Sequence, residues 1–215
     1  MTEQKDTSCT YGTTAESPRS ASTASTTLTT DWQSYDLGQF TDEHYVLLRD
    51  VVKNSLIVNY PLRGIALEFG VGSGLSTSMI AAHIPVVGFD SFQGLPEDWR
   101  EGFPKGSFAY DPPEIENTKM VVGMFEDTLP RFHWEGLRRI TLVHIDCDLY
   151  SSTKAILDNI PPRLLRGAYI CFDEWHGYEG CEEHEQRAWR EFAERTGIRW
   201  TVYGHSFQQW AIRIV

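Results

Sequence analysis

Five short apolar runs alternate with helix-like segments along the chain, and this alternation constrains the fold more than any other feature. Each run is short and apolar on both faces, which is typical of strands in a parallel sheet that is covered by helices on both sides. The runs are residues 65–69, 86–89, 120–122, 140–145 and 169–172. Strands that alternate with helices predict a doubly wound α/β sheet. Two more strand-like runs, residues 199–203 and 209–215, predict an antiparallel hairpin at one edge of this sheet.

The helices are predicted before, between and after these runs. Their predicted ranges are residues 41–58, 74–82, 151–160 and 182–195. Thr41 is the expected N-cap of the first helix, and a serine cap is expected for the third. Leu75 and Met79 define the predicted buried stripe of the second helix, and Gly197 is expected to end the last one.

The chain has 215 residues, which suits one domain with one core. About half of residues 1–30 are Ser or Thr, with almost no large apolar side chains. Such a segment buries too little surface to offset the entropy of ordering it. We therefore expect a disordered tail over residues 1–30 and a folded domain over residues 31–215. A lid that becomes ordered over the active site when substrate binds is the alternative for the tail.

The charge of the chain excludes several classes of partner. There are 19 Lys and Arg residues against 30 Asp and Glu residues, a formal net charge of -11. This charge repels nucleic-acid phosphates and anionic lipid headgroups, so neither nucleic acid nor a membrane surface is an expected partner. No apolar run is long enough to span a membrane, and the four cysteines lack CxxC spacing, which indicates a reducing cytoplasm. Trp32 and Tyr35 suggest a contact between subunits of a homo-oligomer.

A glycine-rich turn follows the first predicted strand and opens the second predicted helix. Gly70, Gly72 and Gly74 are spaced as GxGxG, and such a turn lets the backbone approach a nucleotide-like ligand closely. Asp90 ends the second strand about 20 residues later, where an acid in such folds accepts hydrogen bonds from ribose hydroxyls. The spacing is not the GxGxxG of dinucleotide sites, which disfavours NAD. Glu68, just before the turn, suits a ligand that carries an amine or a sulfonium.

Three carboxylates follow the fourth and fifth predicted strands. Asp146 ends the fourth strand, and Asp173 and Glu174 end the fifth. Because neighbouring parallel strands lie about 4.8 Å apart, these side chains can converge at the edge where ligands bind. Crowded carboxylates require a proton or a cation, and oxygen ligands favour Mg²⁺, Mn²⁺ or Ca²⁺. We expect a metal site there, with Mg²⁺ as its ion; a helix cap or an ion pair for Asp173 or Glu174 is the alternative.

Several longer strings of the sequence narrow the family. They are residues 68–74 (EFGVGSG), 88–99 (GFDSFQGLPEDW), 123–130 (GMFEDTLP), 144–153 (HIDCDLYSST) and 172–175 (FDEW). Together they resemble the macrocin O-methyltransferase-like branch of class I S-adenosylmethionine-dependent methyltransferases, over roughly residues 41–215. The resemblance implies a Rossmann-like, seven-stranded sheet whose last strand is antiparallel. It also implies carboxylates at the three positions of the predicted metal site in metal-dependent relatives.

The residues that the resemblance assigns to S-adenosylmethionine follow the strands of one half of the sheet. Those assigned to the methionine end are Glu68, Gly70, Gly72 and Ser73. Those assigned to the ribose, the adenine or the reacting end are Asp90, Ser91, Phe92, Gly123, Phe125 and Asp146. Core packing is the alternative interpretation for Phe92 and Phe125, because aromatic side chains fill cores more often than they stack on ligands.

The predicted activity is methyl transfer from S-adenosylmethionine to a hydroxyl of a sugar or another small secondary metabolite. A cation lowers the pKa of the hydroxyl, and Asp146 takes its proton. His176 is a second candidate base, although a histidine on a loop is more often a surface residue. Two alternatives stay open: a metal-independent small-molecule methyltransferase, which includes transfer to nitrogen, and a non-catalytic S-adenosylmethionine-binding protein.

Overall fold

The computed structural model describes residues 44–59, 64–137 and 139–215. The predictions for the tail (residues 1–30), for the Thr41 cap and for the subunit contact at Trp32 and Tyr35 lie outside these residues. Within the described ranges, no helix is both long enough and apolar enough to cross a membrane.

The described residues form one seven-stranded sheet with strand order β3-β2-β1-β4-β5-β7-β6. Its strands are β1 (Ile65–Phe69), β2 (Val86–Asp90), β3 (Thr118–Val122), β4 (Ile140–Ile145), β5 (Tyr169–Phe172), β6 (Trp200–Ser206) and β7 (Gln209–Ile214). Strands β1 to β5 are parallel, whereas β7 runs antiparallel to both β5 and β6. The predicted doubly wound sheet with an antiparallel edge hairpin is confirmed.

The α-helices lie between and before the strands. They are α1 (Val46–Asn59), α2 (Leu75–Ala81), α3 (Phe125–Thr128), α4 (Tyr150–Asn159) and α5 (Glu185–Thr196). Helix α5 ends as predicted, because Gly197 takes the left-handed conformation with φ 64° and its N–H donates to the Ala193 carbonyl. The short helix α3 was not predicted, since four residues are too few to show a helical period.

The predicted details of three helices are wrong. Helix α1 begins at Val46, because Tyr45 has a left-handed φ of 67° that interrupts a helix starting at residue 41. Leu75 is 66% exposed, and α2 instead buries Ser76, Thr77, Ile80 and Ala81. Helix α4 has no side-chain cap at its N-terminus, and the Ser151 hydroxyl donates to Glu97 instead.

Two apolar layers cover the sheet, and the alternation of side chains along each strand decides which residue enters which layer. Ile65, Leu67 and Phe69 enter the layer under α4 and α5, with Trp189 and Phe192. Ala66, Leu142 and Cys171 enter the other layer, under α1 and α2. Residues 68 and 144 share the strand face of Ala66 and Leu142, so their side chains point toward α1 and away from the α4 layer.

Candidate active site

The glycine-rich turn lies at the carboxyl end of β1 and presses against the chain that follows β4. Gly70 has φ 88°, and a Cβ atom there would lie 1.7 Å from the backbone oxygen of Asp146. The Asp146 N–H donates to the Phe69 carbonyl at 2.8 Å, which holds the two segments together. Only glycine fits at position 70, so the turn brings the backbone of β1 directly beside a predicted catalytic carboxylate.

Asp90 organises this turn with its carboxylate. Its Oδ2 accepts hydrogen bonds from the N–H groups of Val71 and Gly72, both at 2.8 Å. Its Oδ1 accepts a third from the Phe92 N–H at 2.7 Å. The sequence assigned Asp90 to the ribose; in the structure it also fixes the conformation of the loop that approaches the ligand.

One cavity of about 650 Å³ opens at the carboxyl ends of β1, β2, β4 and β5. Its volume falls within the range of small-molecule and cofactor sites. Most of the predicted site residues line it: Gly70, Gly72, Ser73, Asp90, Ser91, Gly123, Phe125, Asp146, Asp173 and Glu174. The glycine cradle and the carboxylates therefore share one space, which fits a cofactor bound beside a group that activates its acceptor.

Glu68 is not among the residues that line this cavity, so the geometry gives no support to its predicted contact with the methionine end of the cofactor, which stays a prediction. Its side chain is fully buried in the layer under α1, and Oε1 accepts a hydrogen bond from His144 Nδ1 at 2.9 Å. The prediction placed Glu68 by its distance from the glycines along the sequence. Strand alternation instead turns it away from the ligand and against the neighbouring strand.

Phe92 and His176 do not line the cavity either. Phe92 is 8% exposed, which favours the core-packing interpretation, and its adenine contact stays a prediction. The His176 ring packs against His205 at 5.8 Å between centroids. Burial, and then the charge of His205, lowers the pKa of His176 to about 4. The position of His176 outside the cavity lining gives no support to its predicted role as a base, and that role stays a prediction.

The carboxylates of the cavity differ in charge state. Burial, followed by the negative charge of Asp173, raises the pKa of Asp146 well above its ordinary value. The same two causes raise the pKa of Asp148 to about 7 and that of Glu174 to about 8, against the opposing charge of Arg100. A divalent cation would offset the crowding of these carboxylates, and this set of oxygen donors fits such an ion.

Asp173 is the exception among these carboxylates. Burial alone would raise its pKa, but the neighbouring rings of His144 and His44 outweigh burial and hold the pKa below its ordinary value. His44 Nε2 lies 3.1 Å from Asp173 Oδ2, and the buried Gln209 amide donates to Oδ1. His144 Nε2 lies 3.6 Å from the same Oδ1. Asp173 is thus a fixed, ionised group in the wall of the cavity.

The sequence analysis missed His44, His144 and Gln209. His144 stands in the HIDCD string, two residues before Asp146, and this spacing on one strand was the available signal. Glu68 and His144 are also register partners on the paired strands β1 and β4. His44 reaches Asp173 across 129 residues of sequence, and no local pattern marks that contact.

The entrance of the cavity is lined by residues of the loop between β2 and β3. Phe108 and Tyr110 line it, and both side chains are more than two-fifths exposed. Next to it, the Arg100 guanidinium lies 3.9 Å from the ring centre of Trp99 and 4.4 Å from that of Tyr178. This cation–π stack joins the loop after β2 to the loop after β5.

Part of the chain matches a known protein family. The model of the macrocin O-methyltransferase family matches residues 105–203. That match contains the strand ends that carry Asp146, Asp173 and Glu174. Over this range, a little under half of its length, the chain is similar to the macrocin O-methyltransferase family. The resemblance of its motifs is therefore confirmed.

Two curated relatives carry O-methyltransferase names. The 8-demethyl-8-(2,3-dimethoxy-alpha-L-rhamnosyl)-tetracenomycin-C 4'-O-methyltransferase of Streptomyces olivaceus is 31% identical over 34% of this chain and 27% of its own length. Demethyldecarbamoylnovobiocin O-methyltransferase of Streptomyces niveus is 26% identical over 52% of each chain. This chain thus spans about half, or less, of the length of these relatives.

Solved structures match the fold. CalS11, described as a calicheamicin methyltransferase, superposes with a TM-score of 0.61 and 24% identity over 78% of this chain and 77% of its own. The O-methyltransferase NovP superposes with a TM-score of 0.59 and 22% identity over the same shares. The seven-stranded, Rossmann-like architecture is confirmed by these neighbours.

Proposed function

We propose that this protein is an S-adenosylmethionine-dependent O-methyltransferase of secondary metabolism, which methylates a hydroxyl of a sugar or another small metabolite with the help of a divalent cation. One observation carries the proposal: the glycine cradle after β1 and the carboxylates after β4 and β5 line the same cavity. The names of the curated relatives support the same reaction class. An apo structure of CalS11 is described as that of a TDP-rhamnose 3'-O-methyltransferase, and this description supports a sugar acceptor.

The residues of the cavity divide the work of such a reaction. Gly70, Gly72 and Ser73 hold the methionine portion of S-adenosylmethionine, which supplies the methyl group when it is bound. Ser91, Gly123 and Phe125 lie on the β2 and β3 side of the cavity and hold the adenosine portion. Asp90 keeps the glycine turn in the conformation that this contact needs.

Asp146 is the proposed proton acceptor. It lies beside the turn that holds the reacting end of the cofactor, and its pKa is raised toward that of an effective base. The acceptor oxygen bonds to the methyl carbon as the carbon–sulfur bond breaks, and the hydroxyl proton passes to Asp146. A divalent cation, when bound, lowers the pKa of the acceptor hydroxyl. Asp146 and Asp173 would hold it, and Glu174 is the third carboxylate that the sequence predicts, with Mg²⁺ as the expected ion.

The test combines binding and turnover. Isothermal calorimetry with S-adenosylmethionine and with Mg²⁺ measures each interaction, and a methyl-transfer screen over hydroxylated sugars and sugar-bearing metabolites finds the acceptor. Chelation should abolish methyl transfer and a divalent cation should restore it. Turnover that survives complete chelation would support the metal-independent alternative, and cofactor binding without any product across the screen would support a binding protein.

Asp173→Asn separates the catalytic cluster from the cofactor site. We expect methyl transfer to fall by about 10- to 100-fold, because removal of a group that supports or binds a metal ion typically has that effect. Cofactor affinity should stay close to that of the unmodified protein, since the glycine turn and Asp90 are unchanged. Glu101→Gln, at an exposed carboxylate outside the cavity, is the matched control and should leave both quantities unaltered.

A further inference from the structure

Three arginines line a second cavity at the edge of the sheet opposite the candidate active site. Arg139 directly precedes β4, Arg166 lies in the turn before β5, and Arg213 is on the last turn of chain in β7. Because β5 and β7 are antiparallel, the end of β7 meets the start of β5. The cavity has a volume of about 450 Å³. The six residues of β4 separate it from the candidate active site by roughly 20 Å.

The three guanidinium groups of this cavity have no matching negative charge. None of them forms an ion pair with a carboxylate in the described part of the chain, and no acidic side chain of that part lines the cavity. The chain has 30 Asp and Glu residues against 19 Lys and Arg residues, so a shortage of carboxylates does not explain this. Like charges that share a cavity repel one another, and a bound anion would remove that repulsion.

Backbone and ring contacts hold two of the arginines in place. Arg139 Nη2 lies against the turn before β5, where a Cβ atom on Gly167 would be only 2.9 Å from it. The Gly167 N–H donates to the Ile214 carbonyl at 3.1 Å, which joins this turn to the end of β7. The Arg213 Cζ atom lies 5.7 Å from the centre of the Tyr169 ring, and its buried Nε atom has no hydrogen-bond partner among the described residues. An anion that accepts from this donor would recover the free energy that an unpaired buried donor costs.

We propose that this cavity binds a phosphate-bearing anion, with Arg139, Arg166 and Arg213 as its ligands. Guanidinium groups present planar pairs of donors that match the oxygens of a phosphate. The cavity volume lies within the range of small-molecule sites. No aromatic side chain of the described residues lines it, so no ring is available to stack on a nucleobase. The phosphate group itself is therefore the recognised feature, and inorganic pyrophosphate should bind about as tightly as a nucleoside diphosphate.

The test titrates the full-length protein with inorganic pyrophosphate at constant ionic strength, in buffer without metal ions or S-adenosylmethionine. Isothermal calorimetry should show one saturable site with a Kd below about 1 mM. The Nε–H resonance of Arg213, observed by NMR after ¹⁵N labelling of the arginines, should shift in the same titration. The adenosine of ADP could also enter the candidate active site, so the affinity for ADP is read from this resonance. It should lie within about threefold of that for pyrophosphate.

Substitutions distinguish a specific site from a general effect of charge. Arg166→Gln, in an exposed turn, and Arg213→Gln should each weaken pyrophosphate binding by about tenfold, because each removes hydrogen bonds to a charged ligand. Arg213→Lys keeps the charge but loses the planar pair of donors, so it should also bind more weakly than the unmodified protein. Arg163→Gln is the matched control, since Arg163 Nη2 lies 3.9 Å from Glu135 Oε1 and the side chain does not line the cavity. It should leave binding unchanged.

Each opposing result overturns the inference. No saturable binding of pyrophosphate at millimolar concentration would show that the cluster is a solvated basic surface. Equal weakening in Arg163→Gln and Arg166→Gln would show that net charge attracts the anion and that the cavity does not. ADP that binds about tenfold or more tightly than pyrophosphate, by the Arg213 resonance, would refute recognition through the phosphate group alone. Because none of these measurements uses the cofactor or a methyl acceptor, their outcome leaves the proposed function untouched.

Discussion

Replacing Asp90 with alanine tests whether this carboxylate supports the glycine turn as well as the cofactor. Three backbone N–H groups, those of Val71, Gly72 and Phe92, donate to it at 2.7 to 2.8 Å. If Asp90 contacted only a ribose, its removal would matter only when the cofactor is bound. Because it holds the turn, we expect Asp90→Ala to destabilise the ligand-free protein too.

The magnitude follows from the three hydrogen bonds. A hydrogen bond to a charged group contributes about 1.5–3 kcal/mol when it is well shielded. Asp90 is only half-buried and lines an open cavity, so water replaces part of each lost bond. We therefore expect the free energy of unfolding to fall by about 2–4 kcal/mol. In a domain of this size that loss lowers the melting temperature by roughly 4–16 °C.

The assay compares two quantities in the same variant. Thermal unfolding without ligand gives the change in stability, and calorimetry at a temperature where the variant is folded gives the affinity for S-adenosylmethionine, which should fall by about 1–3 kcal/mol. Glu101→Ala removes an exposed carboxylate and should leave both unchanged. If the ligand-free melting temperature of the variant stays within about 1–2 °C of that of the unmodified protein, the loss of stability is too small for three hydrogen bonds. That result would refute the role of Asp90 in supporting the glycine turn. Unchanged cofactor affinity would refute the assignment of this cavity to the cofactor.

Two further substitutions test the geometry of the site and the placement of a histidine outside it. Gly70→Ala should prevent folding or lower the free energy of unfolding by more than about 4 kcal/mol, because its Cβ would overlap the Asp146 carbonyl. Gly102 is the control, since it has the same φ of 88° and no neighbour within 4 Å. In denaturant unfolding, Gly102→Ala should show only the backbone cost of about 1–2 kcal/mol. His176 has a folded pKa of about 4, below its unfolded value of about 6.5, so the unfolded state binds more protons between these pH values and stability should fall as pH drops through them. His176→Gln should flatten that fall in melting curves taken from pH 7 to 4.5, His83→Gln should not, and an unchanged slope in the first variant would contradict the buried placement.

The sheet could be predicted almost residue by residue because its strands are apolar on both faces and end at glycines or acids. The predicted ranges of β1, β4 and β5 match the observed ones. The buried faces of the helices were harder to predict, because the pattern of a short amphipathic segment is compatible with more than one rotation of the helix about its axis. In α2 the first turn follows the left-handed Gly74, and this entry directs Leu75 toward the cavity while Ile80 packs inward.

The residues of the site were predictable where the backbone alone decides their position. Gly70 and Asp146 each follow a strand directly, and parallel strands that end at the same edge must bring such residues together. Phe92 and His176 were harder to place from the sequence because they follow strands at a distance of two or more residues. Within such a loop, the backbone can turn a side chain into the core or away from the cavity without any change in the pattern of the sequence.

Glu68 and His144 show that strand register carries information about a site that motifs do not. Each lies two residues before the position at which its strand meets the cavity, at Gly70 and at Asp146. Once β1 and β4 are neighbours in register, equal offsets place the two side chains opposite each other on the same face. A carboxylate and an imidazole buried together in an apolar layer must satisfy each other, which leaves one nitrogen directed at Asp173. The acid before the glycine turn is therefore connected to Asp173 through the histidine of the neighbouring strand.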